Sequence, residues 1–348
     1  RQKTSQLTPP VVIQPASIMF TLRAYQRSRL VFHAAPLLRS FSTKSKVPLA
    51  LVKELRGASG APINECKQAL EAENGDIEKA FEWLRKKGMA AASKKASRSA
   101  NEGLVGVKIE GNKAAIVEVN SETDFVARND MFQSFVIDAS ATAFAQSGDG
   151  TAVSVLNVDT LLGAQIPGKN KSLGESLMDV ASAIREKIDI RRASVVSVSS
   201  GVVAGYVHGS IGPNMGSSAA LIPVEVGQMD ASKKEALATM GRRLAMHAVA
   251  ARPRYFSPAD IPAPALEAER SLHEEQAKGS SKPAHIVEKM VAGRLNKFYS
   301  EVCLTHQLHM VEDDSPPVHK FLATFSKGYG SEVQVPDFVR YQTGEELY

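Results

Sequence analysis

The sequence predicts an α+β protein: a small all-helical amino-terminal unit, then a larger region in which paired strands alternate with helices. Three observations carry that reading. Across residues 47–88 apolar residues recur only at helical spacing. Residues 104–109 and 113–119 are β-rich runs split by Gly111-Asn112, and a helical stripe follows at Phe132, Phe135, Val136, Ala139 and Ala143. The same order returns with strands at residues 193–198, 202–208 and 219–226 and a long helix over 232–251, so the larger region reads as a core of two related α+β subdomains.

Taken in order, the chain opens with a basic leader. Lys and Arg number 42 against 37 Asp and Glu, yet no acid precedes Glu54, while Arg1, Lys3, Arg23, Arg27, Arg29, Arg39, Lys44 and Lys46 all fall within residues 1–46. The remainder is slightly acidic, which argues against a nucleic-acid-binding surface on the folded body. Residues 19–45 are rich in Arg, Ser and Leu and free of acids, the composition of a mitochondrial transit peptide. Arg39-Ser40-Phe41 before Ser42 resembles an arginine-directed cleavage site. A plastid leader and a plain basic tail stay open as alternatives. Residues 1–18 precede Met19 and are set aside from fold reasoning as upstream sequence.

Residues 47–88 read as three short helices. The first carries Leu51, Val52 and Leu55 and is expected to stop at Arg56-Gly57; Ser59-Gly60 leads into a second with Pro62 near its first turn and Ile63, Cys66, Ala69 and Leu70 on one face. Asn74-Gly75 supplies a left-handed stop and Asp76 an N-cap. Ile77, Ala80, Phe81 and Leu84 then form the buried stripe of a third helix, which the cations Arg85 to Lys87 end before Gly88, with Trp83 at the edge. Residues 89–100 make a basic linker, helical or frayed, residues 101–192 and 193–280 the two core subdomains, and residues 281–348 a carboxy-terminal helix and module. A helix bearing Leu177, Val180, Ala181, Ile184 and Ile188 joins the core halves, and Ile286, Met290 and Leu295 mark the helix after the core. Residues 318–325 suit a short helix, and residues 333–341 an extended element bent at Pro336.

Several chemistries find no support. No apolar run reaches the ~18 residues of a membrane span, and two cysteines, Cys66 and Cys303, cannot build a disulfide framework. There is no G-x-x-x-x-G-K-[ST] loop: in the Gly212 to Gly216 stretch, Ser217 stands where lysine is required. No G-x-S-x-G elbow or H-E-x-x-H helix occurs either. Cys303, His306 and His309 have a ligand-like spacing with no fourth donor evident nearby except Asp313 or Asp314; a metalloenzyme built on them is a third possibility, and coincidence is the expectation. Lys169 and Lys171 read as a solvated basic turn, and Arg191-Arg192 as structural ion-pair residues or contacts.

The most informative stretch is Asn120-Ser121-Glu122-Thr123-Asp124-Phe125-Val126-Ala127-Arg128-Asn129-Asp130, which sets an aromatic beside a carboxylate where a strand stops and a helix begins. On spacing alone two readings stay open. Phe125 tucks back over the start of the helix, or it stands out for recognition. The string NSETDFVARND, after a hairpin and before a Phe-bearing helix, resembles the signature of the translation elongation factor Ts family. Residues 47–88 are similar to that family's ubiquitin-associated-like (UBA-like) three-helix domain, and Tyr206-Val207-His208-Gly209 matches a family string in which a histidine contacts the partner. Ile190-Arg191-Arg192 and residues 282–307 match further family stretches, so the resemblance covers residues 47–311 well and the tail weakly.

The resemblance implies a guanine nucleotide exchange factor that binds elongation factor Tu, nucleotide-free or with GDP, and promotes GDP release during mitochondrial translation. It implies partner contacts at Thr123, Asp124, Phe125, Val126 and His208, no cofactor, no covalent chemistry, and neither nucleic acid nor membrane as a direct partner. The competing class is a ubiquitin-binding or scaffold adaptor that uses the three-helix domain.

Overall fold

The computed structural model describes residues 47–95, 98–148, 150–278 and 283–346; the expected transit peptide lies outside them. Helices α1 (Leu49–Ser59), α2 (Ile63–Ala72) and α3 (Ile77–Lys95) form the amino-terminal unit around Val52, Leu55, Cys66, Ala69, Leu70, Ala80 and Leu84. The α1 helix runs past the expected stop at Gly57. Glycine inside a helix costs only about 1 kcal/mol, whereas Gly60, at φ +66, supplies the left-handed cap. Ile63 lies off the buried face and is 49% exposed. Asn74 and Gly75 take positive φ as the sequence requires, and Asp76 caps α3 by accepting from the Lys79 N–H at 3.1 Å.

Strands β1 (Glu102–Glu110) and β2 (Lys113–Ser121) form the expected hairpin, with Gly111 at φ +63 in a two-residue turn. There follow α4 (Asp130–Ala145), β3 (Val153–Val155), α5 (Val158–Gly163), α6 (Leu173–Ile184) and β4 (Ile188–Ser197). Arg185 ends α6 in the left-handed region at φ 67, so Ile188, expected on that helix, opens β4 instead. The α3 helix continues through Gly88 because it crosses α6 there. A Cβ on Gly88 would lie 2.1 Å from Ser182 Oγ.

Strands β5 (Gly201–His208), β6 (Met215–Gly216) and β7 (Ser218–Val226) precede α7 (Lys234–Ala251), the paired helices α8 (Ala263–Lys278) and α9 (Ala284–Val302), α10 (Val318–Tyr329), β8 (Val333–Gln334) and β9 (Val339–Gln342). On α9 the buried residues are Val291 and Val302, while Ile286, expected on the inner face, is 38% exposed. One sheet has the order β3-β4-β2-β1-β6; in the other, β7 pairs with β5 on one side and with β8 and β9 on the other. β4 crosses residue 192, where the sequence suggests a division between subdomains, and pairs with β2 along its length.

Period-two alternation builds four layers from these strands. Leu104, Ala115, Val117 and Val119 face α4 and α6. Val105, Val107, Ala114 and Ile116 face the second sheet, meeting Val203, Ala219, Leu221, Val339 and Tyr341. The far side of the second sheet, through Val202, Ala220, Ile222 and Val224, packs under α7 and α10. Glycines let two of these layers close up: a Cβ on Gly106 would sit 2.5 Å from Val136 Cγ1, and one on Gly241 2.6 Å from Ala204 Cβ. Arg192 and Arg191 are structural. They pair with the fully buried Glu118 at 2.6 and 3.1 Å, and Arg192 also holds Glu345 near the end of the described chain.

Candidate functional site

Where β2 ends, the chain enters a 3-10 turn, Asp124–Arg128, and then α4. Its two faces differ sharply. Val126 and Ala127 are buried in the first core, whereas Phe125 is 81% exposed. The staple reading is therefore overturned: Val126 fills the space over the helix start, and the Phe125 ring points away from the protein. Asp124 beside it is exposed, and its carboxylate makes no hydrogen bond or ion pair among the described residues. A ring at this exposure forfeits the hydrophobic gain of burial within the chain.

The turn is held rigidly from three sides. Asn129 caps α4 by accepting from the Met131 and Phe132 N–H groups at 2.9 and 3.3 Å. Gln133 Nε2 donates to the Ala127 carbonyl at 3.0 Å. Thr123 donates twice to one carboxylate, through its N–H to Glu186 Oε2 at 2.9 Å and through its hydroxyl to Glu186 Oε1 at 2.7 Å. Neighbouring Glu122 accepts from the Lys187 N–H at 2.6 Å and pairs with Arg98 at 3.1 Å.

His208 occupies the end of β5, exposed, with its Nδ1 3.3 Å from the Tyr206 hydroxyl. Gly209, at φ +59, turns the chain into a loop that returns through β6, which pairs with β1 in the first sheet. Met215 of that loop is buried in the first core. The loop also passes Gln133, since a Cβ on Gly212 would lie 3.7 Å from Gln133 Oε1. His208 lines a cleft of about 460 Å³ together with Tyr206, Met246, Val249, Met310 and Val311. Met310 is itself 63% exposed.

Of the five residues singled out in the sequence, Asp124, Phe125 and His208 are presented at the surface. Thr123 is half-buried and Val126 is an anchor. Glu186 and Gln133 carry no sequence signal beyond being polar residues beside helix ends. Cys303 and His309 are buried, and burial together with the Asp260 charge pushes the Cys303 thiol up to about 11, which keeps it protonated and a poor ligand. Burial, then the neighbouring His247 and Arg243, push His309 down to about 4. Its ring packs on His247 and Phe321, and no metal-holding group of three His, Cys, Asp or Glu occurs among the described residues.

Comparison with known proteins identifies the family. A family profile described as Elongation factor TS matches residues 122–345, a span that runs from the Phe125 turn to the clasped tail. The chain is 42% identical over 304 residues to Elongation factor Ts of Paramagnetospirillum magneticum, covering 87% of this chain and 93% of that protein. It is 41% identical over 304 residues to the protein of the same name from Rhodospirillum rubrum, covering 87% of this chain and 94% of that one. With Elongation factor Ts of Brucella ovis the identity is 42% over 301 residues, covering 86% and 94%. Identity of this extent over most of the chain, together with the profile match, shows that the chain belongs to the elongation factor Ts family.

Proposed function

We propose that this chain is a guanine nucleotide exchange factor: it binds elongation factor Tu, releases GDP from it, and does so in the mitochondrial matrix. The observation that carries the reading is the Phe125 ring, 81% exposed on a turn fixed by Thr123, Gln133 and Asn129. Such a ring works as a preformed wedge. Because the turn is already ordered, little conformational entropy is lost when it enters a partner.

Linkage supplies the mechanism. A protein that binds the nucleotide-free partner more tightly than the GDP-bound one weakens GDP by the same factor, and each tenfold corresponds to about 1.4 kcal/mol. Phe125 is the apolar insert that makes the binding differential, and Asp124, whose carboxylate has no partner of its own, competes for polar groups around the magnesium ion of the partner. With that ion less well held, the β-phosphate charge of GDP is less compensated. His208 and its cleft form a second contact away from the nucleotide. The work is binding, without covalent chemistry. The matrix assignment is supported by the acid-free, Arg- and Ser-rich residues 19–45.

The test is release of labelled GDP from mitochondrial elongation factor Tu, with and without the chain from Ser42 onward. Faster release that is abolished by Asp124→Ala with Phe125→Ala is the expected result. Unchanged release in the presence of a chain that still binds would refute the proposal.

A further inference from the structure

The end of α6 holds three consecutive residues that each grip a different part of the protein. Arg185 Nη2 reaches Glu65 of α2 at 2.6 Å. Glu186 takes both donors of Thr123, at 2.9 and 2.7 Å. The Lys187 N–H is held by Glu122 at 2.6 Å, and its Nζ donates to the Arg98 carbonyl at 3.2 Å. α6 itself is clamped to the amino-terminal unit, where Arg85 pairs with Glu175 at 2.5 Å and Gly88 admits Ser182. A single helix end therefore connects the three-helix unit to the residue from which the Phe125 turn departs.

We infer that Glu186 is a positioning residue for the recognition turn: its carboxylate, fixed by the left-handed bend at Arg185, sets the direction in which Phe125 leaves the protein. The inference deepens the exchange-factor reading and rests on it for its functional half. Thr123 is the last residue before the 3-10 turn and has extended backbone, φ −126 and ψ 155. Its own hydroxyl does not cap the turn. What fixes its orientation is the pair of charge-assisted bonds to Glu186, helped by Ser121 Oγ donating to the Thr123 carbonyl at 2.9 Å. Two bonds to one planar carboxylate restrain rotation as well as distance, which a single bond does not. Without them Phe125 keeps its exposure but loses its fixed aim, and the ordering cost then falls on the step within the complex in which the ring displaces the nucleotide.

The two halves are tested separately. In the free protein, Glu186→Ala should speed amide hydrogen exchange at Thr123 by at least about tenfold, the effect expected from losing a bond to a charged group. The Phe132 amide, capped by Asn129, should stay as in the parent. Unchanged Thr123 protection overturns the inference whatever the partner proves to be. In the GDP-release assay, Glu186→Ala should lower the maximal stimulated rate by about tenfold or more while leaving the half-saturating concentration nearly unchanged. Glu186→Gln, which keeps one acceptor oxygen, should fall between the two. Thr123→Val combined with Glu186→Ala should be no worse than Glu186→Ala alone, because both remove one shared contact. Additive losses, a change confined to half-saturation, or a parental rate in Glu186→Ala when Phe125→Ala has lost activity would each overturn it. Absence of stimulation by the parent chain would count against the exchange-factor reading, and the amide arm would still decide the position of the turn.

Discussion

Replacing Phe125 by alanine separates recognition from folding, because the ring contributes almost nothing to the core. A phenylalanine side chain offers ~200 Å² of contact surface, and Phe125 keeps 81% of its surface exposed. If a partner covers roughly 160 Å² of it, the transfer term at about 25 cal/mol per Å² is at most about 4 kcal/mol. Truncation of well-packed interface anchors costs about 2 to 4 kcal/mol, so the expected loss in exchange efficiency is roughly thirtyfold to several hundredfold. The same substitution should change unfolding free energy by less than about 0.5 kcal/mol, since no buried contact is lost. Labelled GDP release measured against concentration gives the first quantity, and urea unfolding gives the second. A variant that exchanges GDP at the parental rate, or that loses stability in proportion to activity, refutes the reasoning.

Three further outcomes follow from the packing. Glu118→Ala leaves the guanidinium groups of Arg191 and Arg192 without their buried carboxylate and should cost about 3 to 5 kcal/mol in urea unfolding. Gly241→Ala places a methyl group 2.6 Å from Ala204 Cβ and 3.0 Å from Val224 Cγ2. Overpacking of about 1 to 3 kcal/mol should outweigh the ~1 kcal/mol gain in helix propensity, so the thermal midpoint falls. His309 is held neutral by burial, with its folded pKa lowered from 6.5 to about 4. The unfolded chain therefore binds the proton more readily than the native one. Its contribution is complete above pH 6.5 and is lost as pH falls toward 4, so stability should drop with acidity across that window and His309→Gln should flatten the slope measured by urea unfolding at a series of pH values.

Much of this arrangement is legible in the residues, and what is not has physical causes. Local rules reach the hairpin at Gly111, the stripe of α4 and the stops at Asn74 and Gly75, because each depends on residues a few positions apart. The same rules name Phe125 and Asp124 as candidates but cannot decide whether the ring folds back, since Phe125 and Val126 compete for one space and only packing shows that the smaller residue fills it. Glycine misleads twice. Gly57 and Gly88 look like helix ends and lie inside helices, the second because α6 passes over it. Ile63 and Ile286 look like core and face outward, which apolar periodicity alone does not reveal. Glu186 stays hidden for the opposite reason. An acid after a helix is ordinary, and its importance arises from Thr123, far away in sequence.

The late strands have a consequence for how the molecule comes into being. β8 and β9 complete the second sheet along β7, although α7 and three further helices intervene in the chain. During synthesis β7 emerges with that edge unpaired, an exposed row of backbone donors and acceptors prone to pairing with other chains. Until Glu345 follows, Arg192 also lacks one of its two carboxylates, and the inter-sheet core lacks Val339 and Tyr341. Completion of the second sheet is thus deferred until residues 333–342 have left the ribosome, so a product terminated before them would carry the exposed Phe125 turn on a half-built body, open to aggregation and to proteases.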